Sequence, residues 1–122
     1  MLGGRPPRDA EPPVRAFNAA VWGVCADAPP GLALGCMGAI ESEFADASQA
    51  IGEAAVARGW VDGTRLVHYS LHAAVDKRHA QELWEPLSRR GPDGRELGRQ
   101  GMRLGEFLLA RRYRALLASL GA

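Results

Sequence analysis

Residues 31–58 read GLALGCMGAIESEFADASQAIGEAAVAR and predict one long amphipathic helix. The apolar residues of one face recur at three- and four-residue spacing: Ile40, Phe44, Ala47 and Ile51. Two prolines precede the segment, and Gly59 follows it as a suitable C-terminal cap, because glycine readily adopts the left-handed conformation that ends many helices. The rest of the chain contains segments with the same helical pattern.

Three further segments have the same helical periodicity, namely 14–27, 64–87 and 95–120. Asp62 or Thr64 could cap the third helix. The last helix has the following apolar stripe: Met102, Leu109, Tyr113, Leu116, Leu117 and Leu120. No stretch alternates apolar and polar residues as a strand does. We therefore expect an all-α protein, an antiparallel bundle of three or four helices.

The composition of the chain argues against several classes of function. The 122 residues fit one domain, and a net charge of +1 argues against general nucleic-acid binding. Two cysteines are too few for a disulfide framework or a four-cysteine zinc site. Residues 1–13, with four prolines and two glycines, predict a disordered leader before a helical domain at 14–122. We expect a cytoplasmic protein with neither nucleic acid nor membrane as its partner.

Residues 68–79, HYSLHAAVDKRH, carry every histidine of the chain. At about 100° per residue, His68, His72, Asp76 and His79 share an arc of about 80° on one helix. Imidazoles and a carboxylate on one face are suitable ligands for iron, manganese or zinc. The alternative is a solvated polar face, with the core supplied by other residues of this helix: Leu66, Val67, Leu71, Val75 and Leu83.

Glu41 is the second candidate ligand, because it lies at the margin of the apolar stripe of the long helix. A stripe of small residues runs from it: Ala45, Ser48, Gly52 and Ala55. Such a stripe lets a neighbouring helix approach closely, and Glu41 would then point at that neighbour. Glu43 is the less favoured candidate. The alternative for Glu41 is a boundary carboxylate paired with an arginine. Gly98, Gly101 and Gly105 do not form a phosphate loop, since no strand precedes them.

Glu41, followed after about thirty residues by Tyr69-x2-His72-x3-Asp76-x2-His79-Ala80, resembles the C-terminal half of the haem-oxygenase-like di-iron oxidases and oxygenases. These iron-containing redox enzymes are related in fold to the TenA and PqqC proteins. The resemblance covers about residues 31 to 87. It implies a partial haem-oxygenase-like bundle whose metal ligands are Glu41, His72, Asp76 and His79. It also implies one or two Fe(II) ions, O₂ as co-substrate and a small-molecule substrate, with Tyr69 beside the site.

The chain departs from the family pattern, which takes a further Glu-x6-His from an earlier helix. Glu41 is followed seven residues later by Ser48, and no histidine precedes His68. Three explanations stay open: a fragment, a half-bundle that forms a homodimer with a shared site, or a degenerate relative with one metal or none. The function classes are an iron-dependent oxidoreductase, a non-catalytic helical interaction module, and a TenA- or PqqC-like enzyme of cofactor metabolism.

Overall fold

A computed structural model describes residues 12–121 and contains four α-helices. They are α1 (Pro12–Asp27), α2 (Pro30–Ala57), α3 (Val67–Ser88) and α4 (Pro92–Ser119), with a short 3₁₀ turn at Gly63–Arg65. The described residues include no strand, so the all-α helical bundle is confirmed. The structure agrees with each predicted helix end to within three residues.

Most of the predicted leader, residues 1–11, lies outside the described residues. Its last two residues, Pro12 and Pro13, form the start of α1. Proline suits this position for two reasons. The N–H groups of the first helical turn have no hydrogen-bond partner within the helix, so the missing N–H costs no bond, and the ring already holds φ at a helical value. The same reason accounts for Pro30 and Pro92 at the beginnings of α2 and α4.

The connection between α2 and α3 follows the predicted capping residues. Gly59 has a φ of 68°, which is the left-handed conformation expected of it after α2. The side chain of Asp62 accepts a hydrogen bond of 2.9 Å from the backbone N–H of Thr64. This bond caps the 3₁₀ turn rather than an α-helix, so α3 begins at Val67, three residues later than predicted.

Helix α2 lies at the centre of the bundle, with α3 and α4 on either side. Gly52, late in α2, contacts Leu66 and Tyr69 at the start of α3, whereas Gly38, early in α2, contacts Trp84 near its end. Helix α3 is therefore antiparallel to α2. Helix α4 runs parallel to α2, because Gly31 contacts Gly94 and later residues of α2 contact later residues of α4. Helix α1 packs on α4, where the Arg112 guanidinium lies 4.9 Å from the centroid of the Phe17 ring.

The contact between α2 and α4 is made by glycine backbones. A Cβ added at Gly35 would lie 2.0 Å from the carbonyl oxygen of Gly98, and one added at Gly101 would lie 2.0 Å from that of Leu32. No side chain fits at such distances. The glycines of α4 thus serve helix packing, a role the sequence analysis missed. Their regular spacing through 94, 98, 101 and 105 was the available signal.

The hydrophobic core is small and follows the predicted stripes only in part. Its buried members come from three helices: Phe17, Val24, Cys36, Ile40 and Leu109. In the predicted stripe of α4, Met102 is half-buried and Leu109 is buried, but the last four apolar residues are exposed. They are Tyr113, Leu116, Leu117 and Leu120. Ile51 at the end of the α2 stripe is also exposed. Within residues 12–121, none of the helices has the length and apolar character needed to cross a membrane.

We predict opposite effects for the same substitution at two helical glycines. Gly35→Ala gains about 1 kcal/mol of helix propensity, but its methyl group meets the Gly98 backbone. Overpacking of this kind costs about 1–3 kcal/mol or more, so the free energy of unfolding falls. Gly23→Ala, where a Cβ meets nothing within 4 Å, raises it. Urea unfolding followed by circular dichroism measures both, and equal stabilisation of the two variants would contradict the backbone contact.

Candidate metal centre

Helices α2 and α3 approach closely on both sides of Glu41. On one side, a Cβ added at Gly52 would lie 3.0 Å from the Leu66 side chain. On the other side, one added at Gly38 would lie 2.7 Å from the Trp84 ring. The small residues Ala45 and Ala55 are buried as well. The expected close approach of a neighbouring helix is therefore observed, and that helix is α3.

Three of the four predicted ligands meet between these helices. Oε2 of Glu41 lies 3.7 Å from Nδ1 of His79. Glu41, Asp76 and His79 each offer one donor atom, and these atoms all lie within 4.8 Å of one another. The exposed fraction of the side chain is 13% for Asp76, 24% for Glu41 and 46% for His79. The two carboxylates thus lie inside the helix pair, and the imidazole lies at its edge.

Burial and a neighbouring charge act together on Glu41. Its pKa is raised above the usual glutamate value, first by loss of hydration and then by the negative charge of Asp76. His79 acts in the opposite direction but does not cancel these effects. Two carboxylates in one partly dehydrated space repel each other when both are ionised. A proton or a cation between them relieves this repulsion, so the cluster has the electrostatic character of a cation site.

His72, the fourth predicted ligand, lies beside this group rather than in it. Its Nδ1 is 3.9 Å from Oδ2 of Asp76, and its side chain is 51% exposed. Its ring contacts that of His68, with 4.5 Å between the centroids. The structure therefore places His72 on the exposed side of Asp76, outside the group that Asp76 forms with Glu41 and His79. Its role as a metal ligand stays a prediction.

The alternatives raised by the sequence have different outcomes. The alternative of a solvated face with surface histidines is correct in part, because all three histidines of α3 are exposed and Leu66, Val75 and Leu83 are half-buried. Val67 and Leu71, also offered as core residues, are exposed, and Asp76 meets Glu41 of α2. The ionic partner that the structure gives Glu41 is His79, rather than an arginine. Glu43 is exposed and near α4, where its charge contributes to raising the pKa of Tyr113, after burial as the main cause. Glu41 is thus the carboxylate that faces α3.

A groove of about 460 Å³ runs between α2 and α3 next to the cluster. Its lining includes Ser48, Gly52, Val56, Leu66, Tyr69 and Ala73. Ala73 lies three residues before Asp76, so one end of the groove comes within a helical turn of the cluster. The sequence analysis identified Ser48 and Gly52 only as packing residues and Tyr69 as a neighbour of the site. The groove itself depends on helix separation, which no sequence pattern revealed.

Comparisons of the chain with protein-family models, with curated proteins and with solved structures found no match.

Metal-free protein provides a test of the electrostatics at Glu41. A carboxyl group whose pKa is raised on folding stabilises the fold at low pH, and this stabilisation is lost as the pH rises through the folded-state pKa. We expect Glu41→Gln, which cannot ionise, to unfold at a higher temperature than wild type at pH 7 in the presence of chelator. The difference should vanish at pH 4, where protonated Glu41 predominates in the wild type.

Glu43→Gln is the matched control, because it removes the same charge from an exposed position of the same helix. We expect it to leave the unfolding temperature near that of wild type at both pH values. A loss of stability in Glu41→Gln at pH 7 would contradict the repulsion between the carboxylates.

Proposed function

We propose that the protein binds one divalent transition-metal ion between α2 and α3 and uses it to oxidise a small molecule with O₂. The supporting observation is the convergence of Glu41, Asp76 and His79 from two helices within 4.8 Å. Metal–ligand bonds of about 2.1 Å put neighbouring donors about 3 Å apart. Side chains already 3.7 Å apart reach that spacing by small rotations, so the donor set fits an ion.

The donor types fit Fe(II) or Mn(II) and do not distinguish between them. Two carboxylates and one imidazole suit Fe(II) or Mn(II), whereas the described residues bring no cysteine thiolate to the site. Resemblance to the haem-oxygenase-like iron-containing redox enzymes favours Fe(II) of these two. Three donors accommodate one ion and leave coordination positions open for O₂ or substrate. A second ion would need donors beyond these three.

When bound, Fe(II) would activate O₂ as the acceptor of the electrons that the substrate loses. The residues of this chain bind the ion and the substrate. Glu41 and Asp76 hold the ion by charge, and His79 closes the site on its half-exposed side. The groove that begins at Ala73 holds the substrate, and its largely apolar wall limits the water around it. Tyr69 in that wall presents an aromatic ring to a bound molecule.

Metal binding is the first test of this proposal. The full chain is equilibrated with Fe(II) without oxygen, dialysed, and assayed for iron and protein. We expect about one iron per chain, and a large loss of iron in Glu41→Gln and His79→Ala. Glu43→Gln is again the matched control and should retain wild-type stoichiometry. A wild-type protein that retains no iron, or iron content unchanged in both site variants, would refute the proposal.

Reaction with O₂ is the second test. After iron loading, air is admitted and oxidation of the bound Fe(II) is followed by the appearance of ferric absorption. We expect a protein-dependent rate in wild type that falls to the rate of free iron in His79→Ala, because the variant no longer holds the ion. Equal rates in the presence and absence of wild-type protein would argue for a site that binds metal without redox activity.

A second candidate function, a helical interaction module, is favoured by the uncovered end of α4. Tyr113, Leu116, Leu117 and Leu120 lie exposed within its last two turns and the residue that follows. Soluble monomers rarely expose large contiguous apolar patches. In this proposal two copies associate through these ends, which is the homodimer expected of a half-bundle.

Light scattering distinguishes these assemblies. We expect a dimer in wild type and a monomer in the double variant Leu116→Gln/Leu120→Gln, because both changes replace exposed apolar side chains without touching the buried core. A wild-type monomer would exclude a site shared between chains. A dimer that binds no metal would favour the interaction module over the oxidoreductase.

A further inference from the structure

His68 and His72 form a pair on the outer side of α3, away from the Glu41 cluster. Their rings are one helical turn apart, with centroids separated by 4.5 Å and planes inclined by 51°. Both residues are exposed, and neither belongs to the group of Glu41, Asp76 and His79. The Tyr69 ring meets that of His68 edge-on, with 5.1 Å between the centroids, and restricts one side of it. The two rings are therefore in contact with each other on an exposed part of α3.

We propose that His68 and His72 bind a second metal ion, of the borderline class Cu(II), Ni(II) or Zn(II), through two imidazole nitrogens. Residues four apart lie on the same side of a helix, about one turn from each other. Metal–nitrogen bonds of about 2.0–2.1 Å place two ring nitrogens about 3 Å apart. Rings that already lie in contact reach this separation by side-chain rotation, with no change in the helix.

Asp76 lies close enough to one member of the pair to orient it after a small side-chain rotation. A histidine that binds metal usually directs its other ring nitrogen to a carboxylate, which fixes the orientation of the ring. Nδ1 of His72 faces Oδ2 of Asp76 at 3.9 Å. This arrangement leaves Nε2 of His72 as the metal-binding atom. Asp76 thus serves as a ligand at the first site and as a positioning residue at the second.

The two sites select different ions because their donors differ. The inner site offers two carboxylates and one imidazole, which suit Fe(II) and Mn(II). The outer site offers imidazoles, which suit copper, nickel and zinc. The outer ion would also connect the first and second turns of α3. That end has no side-chain cap, since Leu66 at the N-cap makes no such bond. Binding at the outer site therefore stabilises the start of α3.

Mn(II) is the probe for the inner site. Ni(II) is the probe for the outer site and is titrated into chains that also carry His79→Ala, because the inner donors bind Ni(II) more tightly than Mn(II). Both are measured by calorimetry on the full chain. We expect His68→Gln to weaken Ni(II) binding by about a hundredfold or more, because the second metal bond is intramolecular only when both imidazoles are present. The same variant should keep its Mn(II) affinity. His79→Ala should lose Mn(II) binding and keep Ni(II) binding. Circular dichroism establishes that each variant is folded.

A register variant controls for the number of histidines. His68→Ala/Ser70→His keeps three histidines but places the new one two residues from His72, on a different side of the helix. We expect it to bind Ni(II) as weakly as His68→Gln. Wild-type Ni(II) affinity in either variant would overturn the outer site. Loss of both Ni(II) and Mn(II) binding in His68→Gln would indicate a single shared site and would also overturn the proposal of a separate outer site. Failure of Mn(II) binding alone would refute the proposed function and leave the outer site intact.

Discussion

The bundle depends on the close contact of α2 with its neighbours through residues that lack bulky side chains. Gly35 and Gly101 bring the α2 and α4 backbones together, and Gly98 meets both Gly35 and the Leu87 side chain of α3. Such packing leaves little room for large core residues, and Cys36 is the only described side chain of the core that is fully buried. The cohesion of the fold therefore comes from close backbone contact more than from a large apolar core.

The same contacts determine the register between α2 and α3, and with it the site. Trp84 packs against Gly38, and Leu66 packs against Gly52. The turns of α2 and α3 between these two contacts therefore place Glu41 opposite Asp76 and His79. The carboxylates are brought together at a cost in hydration, which raises the pKa of Glu41. A fold selected for stability alone would place apolar residues at these positions. Partly buried carboxylates lower the stability of the fold, and we regard the Glu41 cluster as functional because it keeps them despite this cost.

Much of the fold could be predicted because helical periodicity is a local property. Prolines and glycines marked the helix ends, and the small residues from Ala45 to Ala55 indicated correctly where a neighbour approaches. Whether the end of α4 is core or dimer surface was left open by the sequence, since the stripe through Leu116 and Leu120 looks the same whether or not a helix covers it. The packing role of the α4 glycines was missed because Gly98, Gly101 and Gly105 were considered only as a phosphate loop, although Gly52 of α2 was recognised as a packing residue.

For the site, the sequence by itself determined which residues of α3 share a face, because their angular positions follow from the turn of a single helix. It thereby brought His68, His72, Asp76 and His79 into one candidate set. The tertiary structure alone decided how that set divides. Asp76 and His79 meet Glu41, while His72 turns to His68 on the solvent side. The division depends on where α2 contacts α3, and that contact joins residues far apart in the chain, where periodicity carries no information.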